Sequence, residues 1–290
     1  MKRRALIFGS SGQVGIALRS IAPAAFDVVA HDLAETDIRD ESAVEHTLDE
    51  VKPEIILNCA AFTAVDDAEA RPAEAFSANA AAPGFIAAGA TRRGIRFIHI
   101  STDYVFDGRA HSPYLPSADV GPINVYGETK LEGERRVLAA DPKHVVVRTA
   151  WVHSGTGTNF IKTCVRVLGA GTVMRVVDDQ VGSPTRALHL ASVLWRVTDL
   201  PSVSGVLHFT DAGVASWYDV ATAVLEAMRA VGRAPESAEV LPVGTEEFPR
   251  PAKRPQYSVL DKRSSWASIG FVPPHWRVGV VASTSEVLGG

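Results

Sequence analysis

The sequence of 290 residues contains few cysteines and no strong excess of charge. Its two cysteines, Cys59 and Cys164, lie far apart and outside any Cys-x-x-Cys pair, so neither a zinc site nor a disulfide framework is predicted. The formal net charge is −4 and basic residues do not cluster, which argues against a nucleic-acid partner and a polybasic membrane anchor. No apolar run reaches the roughly 20 residues that a membrane-spanning helix needs.

A signal peptide is also not expected. The charged start, Met1–Arg4, is followed by an apolar run of residues 5–8 that ends at a glycine, far short of a signal-peptide core. We therefore expect a cytoplasmic protein. Its composition, with 46% hydrophobic and 21% charged residues, is typical of a globular chain.

The chain opens with a short apolar strand, a glycine-rich turn and a helical pattern. Residues 5–8 show no alternation, as expected for a strand buried on both faces of a parallel sheet. The turn Gly9-Ser-Ser-Gly-Gln-Val-Gly15 allows close backbone approach, and the helix after it offers amide hydrogens to a pyrophosphate. The pattern predicts a dinucleotide site, although its spacing differs by one residue from the commonest fingerprint. A glycine turn without a ligand is the alternative.

A second predicted strand ends at Asp32. A carboxylate there can accept hydrogen bonds from an adenosine ribose, which favours NADH; a solvated surface aspartate is the alternative. No Arg or Lys lies within three residues of Asp32, although later loops could supply one for a 2′-phosphate. Asp37, in the acidic loop that follows, could meet an adenine amino group.

Strands and helices continue to alternate up to residue 150. Further strands are predicted at 54–61, 96–100 and 144–149, and helices at 41–51 and 73–92; a later strand at 205–209 could extend the same sheet. This order predicts an α/β fold with a doubly wound parallel, Rossmann-type sheet and a smaller α/β lobe that binds the substrate. The predicted dinucleotide-binding domain comprises residues 1–150 plus about 185–209, and the lobe comprises about 151–184 and 210–290.

Two pairs of polar residues are candidates for chemistry. Ser101 and Thr102 follow a predicted strand, at the sheet edge where ligands bind, unless they only cap it. Tyr126 and Lys130 lie four apart at the start of a predicted helix and so share one face. An ammonium one turn away would lower the pKa of the Tyr126 phenol and make it a better general acid. By itself the spacing is weak evidence, because a solvated lysine beside a half-buried tyrosine is common.

Together these motifs resemble the extended short-chain dehydrogenase/reductase family, in which the glycine turn, a Ser-Thr pair and Tyr-x-x-x-Lys occur in this order. Within it the chain is most similar to the dTDP-4-dehydrorhamnose reductases, from about residue 5 to 280. The stretches that carry this resemblance are 12–15, 58–66, 101–108, 122–133, 148–152, 179–185 and 250–255.

The resemblance implies an NAD(P)H-dependent oxidoreductase that reduces the C4 ketone of a dTDP-sugar, dTDP-4-dehydro-6-deoxy-L-mannose, to dTDP-L-rhamnose, with Tyr126 as proton donor. The implied catalytic residues are Thr102, Tyr126 and Lys130. The implied cofactor contacts are Gly9, Ser11, Gly12, Gln13, Val14, Gly15, Asp32, Asp37, Ile38, Ala60, Ala61, Phe62, Thr63, Tyr126 and Lys130. The implied substrate contacts are Thr102, Asp103, Trp151 and Arg254.

Several alternatives stay open. The cofactor is NADPH or NADH, because Asp32 favours NADH whereas the resembling family often uses NADPH. Some members form a magnesium-bridged dimer through a glutamate two residues after the last glycine of the turn; this chain has Ala17 there, so no metal is predicted, and a monomer or a homodimer is expected. Rival functions are an epimerase, dehydratase or other ketoreductase of the family, or a non-catalytic nucleotide-binding regulatory subunit. Trp151 could cap the cleft without touching a ligand, and Arg254 could be a surface residue.

Overall fold

Parallel strands buried on both faces form the centre of the protein, whose computed structural model describes residues 2–289. The strands are β1 (Arg3–Phe8), β2 (Phe26–His31), β3 (Ile55–Asn58), β4 (Arg96–Thr102), β5 (Val145–Thr149), β6 (Val152–His153), β7 (Val173–Val177), β8 (Val181–Gly182), β9 (Thr185–Arg186), β10 (Gly205–His208), β11 (Ala215–Ser216) and β12 (Glu239–Val243).

Helices connect these strands and cover both faces of the sheet. They are α1 (Gln13–Ser20), α2 (Glu41–Val51), α3 (Val65–Ala70), α4 (Pro72–Phe76), α5 (Ala82–Arg93), α6 (Val125–Ala140), α7 (Phe160–Gly169), α8 (Ala187–Thr198), α9 (Trp217–Ala230), α10 (Arg263–Ile269) and α11 (Trp276–Val287). A π-helical turn, Ser77–Ala81, joins α4 to α5. No helix within residues 2–289 is long and apolar enough to cross a membrane.

The main sheet has six parallel strands in the order β10-β5-β4-β3-β1-β2. One face packs on α1 and α8, and the other on α2 and α5. The strand predicted at 205–209 does extend this sheet, since β10 pairs with β5. Apolar runs without alternation, such as residues 5–8 at 0–1% exposure, are what such a doubly covered sheet requires. The predicted doubly wound α/β fold is confirmed.

A second hydrophobic core lies between α7, α9 and α11, beside a two-stranded parallel sheet of β7 and β12. It draws on residues 161–176 and 215–280, whereas α8 and β10 contribute to the core of the main sheet. Ile269, at the end of α10, also packs in the main-sheet core although it falls in the predicted smaller lobe. The exact domain division stays a prediction.

Candidate active site

A cavity of about 720 Å³ lies at the carboxyl edge of the main sheet. Of the residues predicted for the site, those that line it are Gly9, Ser11, Gly12, Gln13, Val14, Asp32, Ala60, Ala61, Thr63, Thr102, Asp103, Tyr126, Lys130 and Trp151. Loops after neighbouring parallel strands meet at this edge, which is where ligands bind in open α/β sheets. The glycine turn and the Tyr126 helix therefore face a single space.

The glycine turn is shaped for close approach of a ligand to the backbone. Gly9 adopts φ +77°, in the left-handed region, and a Cβ on Gly15 would lie 2.2 Å from the Gly9 carbonyl oxygen. Gly12 is the N-cap of α1, where no side chain caps the helix and the first turn holds no acidic residue. The amides and positive end of α1 therefore stay available to an anionic pyrophosphate.

Asp32 holds the glycine turn from the neighbouring strand. Its carboxylate accepts hydrogen bonds from the backbone amides of Ser11 (2.7 Å) and Leu33 (2.9 Å). Burial alone would raise the pKa of Asp32, but the Ser11 side chain and these two amides together outweigh burial and lower the pKa. The Glu35 carboxylate accepts from the Asp32 amide, so this corner of the cavity carries negative charge.

Five predicted site residues lie outside the cavity lining. The Asp37 carboxylate, expected to meet an adenine amino group, is held by the Arg39 guanidinium at 2.7 and 2.8 Å. Ile38 packs its side chain into the core beside α2. Gly15 lies behind the turn, where it allows α1 to approach Gly9.

The other two of the five, Phe62 and Arg254, have partners within the protein. The backbone of Phe62 exchanges two hydrogen bonds with the side-chain amide of buried Asn79, at 2.8 and 3.0 Å. Arg254 forms an ion pair with Asp66 at 2.7 Å. An anion bound by Arg254 would have to share the guanidinium with Asp66, and contact with these five residues stays a prediction.

The start of α6 is packed tightly enough to bring Tyr126 to Thr102. Asn124 caps the helix by accepting a hydrogen bond from the Gly127 amide at 2.8 Å. A Cβ on Gly127 would lie 2.2 Å from the Tyr104 carbonyl oxygen, so glycine lets the first turn of α6 rest on the turn after β4. The rings of Tyr126 and Tyr104 meet edge to face at 5.7 Å.

Tyr126 is a protonated phenol in this environment. Burial raises its pKa to about 12, although a hydrogen bond with the Thr102 side chain acts in the opposite direction. This is the reverse of the lowering expected from Lys130. Burial is the larger effect on the phenol, and Lys130 Nζ donates a hydrogen bond to the Ile100 carbonyl at 2.6 Å.

Asp103 is a buried carboxyl next to these groups. It is 2% exposed, and one of its oxygens accepts a hydrogen bond from the Thr102 hydroxyl at 3.1 Å. Its Oδ2 has no hydrogen-bond partner within the part of the chain that the structure describes. Burial raises the pKa of Asp103 to about 6, although the nearby Ser258 and Thr102 side chains act in the opposite direction, so a small change in its surroundings changes its charge near neutral pH.

Comparisons with known proteins identify the family of this chain. A family model described as the RmlD substrate binding domain matches residues 3–288. The chain belongs to this family. It is 41% identical to a dTDP-4-dehydrorhamnose reductase of Mycolicibacterium smegmatis, over 100% of this chain and 87% of that one. A probable dTDP-4,6-dihydroxy-2-methyloxan-3-one 4-ketoreductase of Streptomyces antibioticus is 40% identical, over 98% of this chain and 96% of its own length.

Two solved structures of this family resemble the protein over its whole length. A dTDP-4-dehydrorhamnose reductase from Clostridium acetobutylicum gives a TM-score of 0.92 at 38% identity, covering 99% of this chain and 100% of that one. Another from Bacillus anthracis, solved in complex with NADP, gives 0.91 at 34% identity with the same coverage. The family resemblance read from the sequence motifs is confirmed.

This RmlD-family chain holds Trp151 in an unusual conformation at the mouth of the cavity. Trp151 has φ +49°, which is rare for a bulky residue and costs about 1–3 kcal/mol. Its ring stacks on Trp217 with centroids 3.8 Å apart and planes 9° apart. A Cβ on Gly182 would lie 2.7 Å from the indole. The stack and this glycine together hold Trp151 where a ligand can reach it.

Gln13 connects the glycine turn to the segment after β6. Its side-chain oxygen accepts hydrogen bonds from the Ser154 hydroxyl and the Asn159 amide, both at 2.9 Å. Gly157 and Thr158, within this segment, line the cavity. Gln13 thus fixes one wall of the cavity, in addition to its predicted contact with the dinucleotide.

Several lining residues were not among the predicted cofactor or substrate contacts, although Ser101 was placed at this sheet edge from the sequence. They are Cys59, Val65, Ile100, Ser101, Tyr104, Thr149, Ala150, Val152, Gly157, Thr158 and Trp217. The rule that ligands bind at the carboxyl edge indicates Ser101 from the sequence, and it applies equally to Thr149 at the end of β5. Trp217 follows a short strand in the smaller lobe, and no motif in the sequence distinguishes it.

Proposed function

We propose that the protein is an NAD(P)H-dependent oxidoreductase that reduces the C4 ketone of dTDP-4-dehydro-6-deoxy-L-mannose to dTDP-L-rhamnose. The proposal rests mainly on one observation. Thr102, Tyr126 and Lys130 line the same cavity as the glycine turn, and helix α1 after this turn has no side-chain cap at its N-terminus. The names of the Mycolicibacterium and Clostridium relatives support this substrate.

The cavity fits a nicotinamide dinucleotide. The amides at the start of α1 would hold the pyrophosphate, and Asp32 would accept hydrogen bonds from the adenosine ribose. When bound, NAD(P)H supplies the hydride. The negative charge of Asp32 and Glu35 favours NADH, whereas the Bacillus relative was solved with NADP. Both reduced cofactors therefore belong in the assay.

In the proposed mechanism Tyr126 donates its phenolic proton to the ketone oxygen as negative charge develops there. Its raised pKa keeps the phenol protonated at neutral pH, so the acid is ready for each turnover. Thr102 hydrogen-bonds the same oxygen. Lys130, fixed one turn further along α6, would hold the nicotinamide ribose and stabilise the phenolate after proton transfer.

The sugar nucleotide would bind between the two lobes. We expect Trp151 to pack on the hexose ring from its stack with Trp217, and Asp103 to hydrogen-bond a sugar hydroxyl through its free oxygen. Arg254 would reach the pyrophosphate, since a guanidinium can bind phosphate oxygens in pairs. The cytoplasmic location and the choice between monomer and homodimer stay predictions.

A second candidate is a ketoreductase that acts on a different dTDP-linked keto sugar. The Streptomyces relative favours it, because its name gives another substrate at nearly the same identity. Incubation with dTDP-4-dehydro-6-deoxy-L-mannose and each reduced cofactor, with NMR assignment of the product, separates the candidates. Stoichiometric oxidation of added NAD(P)H and formation of dTDP-L-rhamnose support the first. An epimerase or dehydratase would need no added reductant, and a regulatory subunit would turn over no keto sugar.

Tyr126→Phe tests the proton donor. We expect the variant to bind the dinucleotide normally and to lose roughly 10²–10⁴-fold in kcat, the usual contribution of general-acid catalysis. Tyr104→Phe is the matched control, because it removes the neighbouring phenol from the same cavity, and it should keep most of the turnover. Near-normal turnover by Tyr126→Phe would remove this residue from the mechanism.

A further inference from the structure

Behind the cavity, Lys130 contacts buried His99, which in turn contacts buried Asn58. His99 is 0% exposed on β4, and Asn58 is 1% exposed beside it on β3. The Asn58 side-chain nitrogen lies 3.1 Å from His99 Nδ1, and Lys130 Nζ lies 3.3 Å from His99 Nε2. Neither Asn58 nor His99 lines the cavity.

The orientation of this chain of contacts follows from the donors available. The Asn58 side-chain oxygen accepts a hydrogen bond from the Ala60 amide at 3.1 Å, so its NH₂ group must face the histidine. His99 Nδ1 is therefore an acceptor. A neutral imidazole has one donor and one acceptor nitrogen, which assigns the ring proton to Nε2, on the side of Lys130.

This assignment makes the contact with Lys130 favourable in only one protonation state. An ammonium has three donors and no acceptor, so it would set an N–H against the Nε2–H of His99. A neutral amine instead accepts from Nε2–H with its lone pair and still donates to the Ile100 carbonyl. His99 itself stays neutral, because complete burial and the neighbouring lysine lower its pKa well below the usual range.

Burial and nearby ionisable groups also affect the balance between the neutral and the charged form of Lys130. The ionisable groups that act on Lys130 are Cys59 and Glu134, and Tyr126 and Asp103 line the same cavity. Glu134 favours the charged form, but its carboxylate is already paired with Arg148 at 2.7 and 2.9 Å. Burial has the larger effect and lowers the pKa of Lys130 to about 8.

We propose that His99, oriented by Asn58, is a positioning residue that favours the neutral amine of Lys130 and so sets the pH at which this lysine gains its charge. The inference rests on the proposed function, because it assigns the charged lysine a part in turnover. The alkaline limb of kcat/KM, which reports ionisation of the free enzyme, should therefore follow the titration of Lys130.

Three NMR observations on the intact enzyme without substrate test the proposal independently of the reaction. In ¹⁵N-histidine protein we expect the Nε2–H tautomer of His99. In ¹³C-lysine protein the Lys130 resonance, assigned by its loss in Lys130→Arg, should titrate near pH 8. In His99→Gln the glutamine amide oxygen can accept a hydrogen bond from the Lys130 ammonium. The midpoint of the Lys130 titration should therefore rise by about 1–2 pH units, which corresponds to the free energy of a hydrogen bond to a charged group.

The control is His144→Gln, which alters another buried histidine packed on the same Phe97 ring but without contact to Lys130. It should leave the midpoint unchanged. If His99→Gln does not fold, Asn58→Asp replaces it: the carboxylate accepts from Nδ1–H, the tautomer changes, and the midpoint rises. Three outcomes would overturn the proposal. The first is an Nδ1–H tautomer of His99 in the native protein, and the second is a Lys130 midpoint that is the same in the native protein and in whichever of the His99 and Asn58 variants folds. The third is an equal rise of the Lys130 midpoint in His144→Gln.

Discussion

At the scale of single residues, Asp103 couples stability to pH. Burial raises its pKa from the usual 3.8 to about 6, so the folded protein holds this proton more tightly than the unfolded chain. Its contribution to stability is complete below about pH 3.8 and is lost as pH rises through about 6. The free energy of unfolding of native protein relative to Asp103→Asn should fall across this window by roughly 3 kcal/mol, since one pKa unit corresponds to about 1.4 kcal/mol.

Urea unfolding at a series of pH values measures this difference directly. The comparison with Asp103→Asn removes the other titrating groups, because both proteins share them. A difference that stays constant from about pH 4 to 7 would show that Asp103 titrates normally in the folded protein.

Residues within a motif could be predicted from the sequence more reliably than their contacts. The glycine turn, Thr102, Tyr126 and Lys130 all line one cavity, because a strand-turn-helix pattern and a helical spacing specify local geometry. What Lys130 faces depends on β3 and β4, which the spacing does not report. The lowering of the Tyr126 pKa expected from the spacing is therefore not observed, because burial raises this pKa to about 12.

At the scale of elements, α6 is anchored at several points that keep its catalytic face in register. Beyond the contact of Gly127 with the Tyr104 carbonyl, a Cβ on Gly133 would lie 2.1 Å from the Asn79 carbonyl oxygen, so α6 also approaches the π-helical turn closely. Glu134, one turn after Lys130, pairs with Arg148 of β5 at no more than 5% side-chain exposure. Neither a glycine in a helix nor a distant arginine indicates such partners in the sequence.

The stack of Trp151 on Trp217 joins the end of β5 to the start of α9, and it predicts a specific kinetic effect. Trp217→Leu should let Trp151 leave its φ +49° conformation, which removes a preformed surface for the sugar. We expect KM for the keto sugar to rise roughly 2- to 12-fold, corresponding to the 0.5–1.5 kcal/mol of an aromatic pair, with a smaller change in kcat.

Two further variants make this test specific to the stack. Trp217→Phe retains an aromatic partner and should restore most of the affinity. Trp266→Leu alters a partly buried indole in α10, outside the cavity lining, and should affect stability without raising KM. A Trp217→Leu enzyme with unchanged KM would show that the stack only supports the fold.

At the scale of the whole molecule, the main sheet could be predicted more completely than the smaller lobe. Buried parallel strands contain continuous apolar runs that turn residues delimit, so the sequence predicts most of the main sheet. In contrast β12 contains Pro242 and exposes Leu241, and α11 exposes Val278 and Val281. Such elements pair or pack through distant partners and carry a weak local pattern.

The two parts of the molecule meet at Gln13, where the glycine turn accepts hydrogen bonds from the segment after β6. Gln13→Ala should leave Ser154 and Asn159 without this acceptor and loosen the wall that contains Gly157. We therefore expect weaker binding of both the dinucleotide and the keto sugar, and faster hydrogen exchange confined to residues 152–159. Each lost hydrogen bond contributes about 0.5–1.5 kcal/mol, so roughly 10-fold weaker binding is the expected scale.

A double-mutant cycle with Ser154→Ala separates this connection from the direct contact of Gln13 with the dinucleotide. If the hydrogen bond carries the effect, the combined loss of stability should be smaller than the sum of the single losses, with a coupling of about 0.5 kcal/mol or more. The alternative result is that the two stability losses are strictly additive and that residues 152–159 of Gln13→Ala exchange hydrogen at the native rate. This result would show that the smaller lobe keeps residues 152–159 in place without the hydrogen bonds to Gln13. The cavity would then be assembled by packing between the lobes alone, because the glycine turn would contribute only its ligand-facing amides.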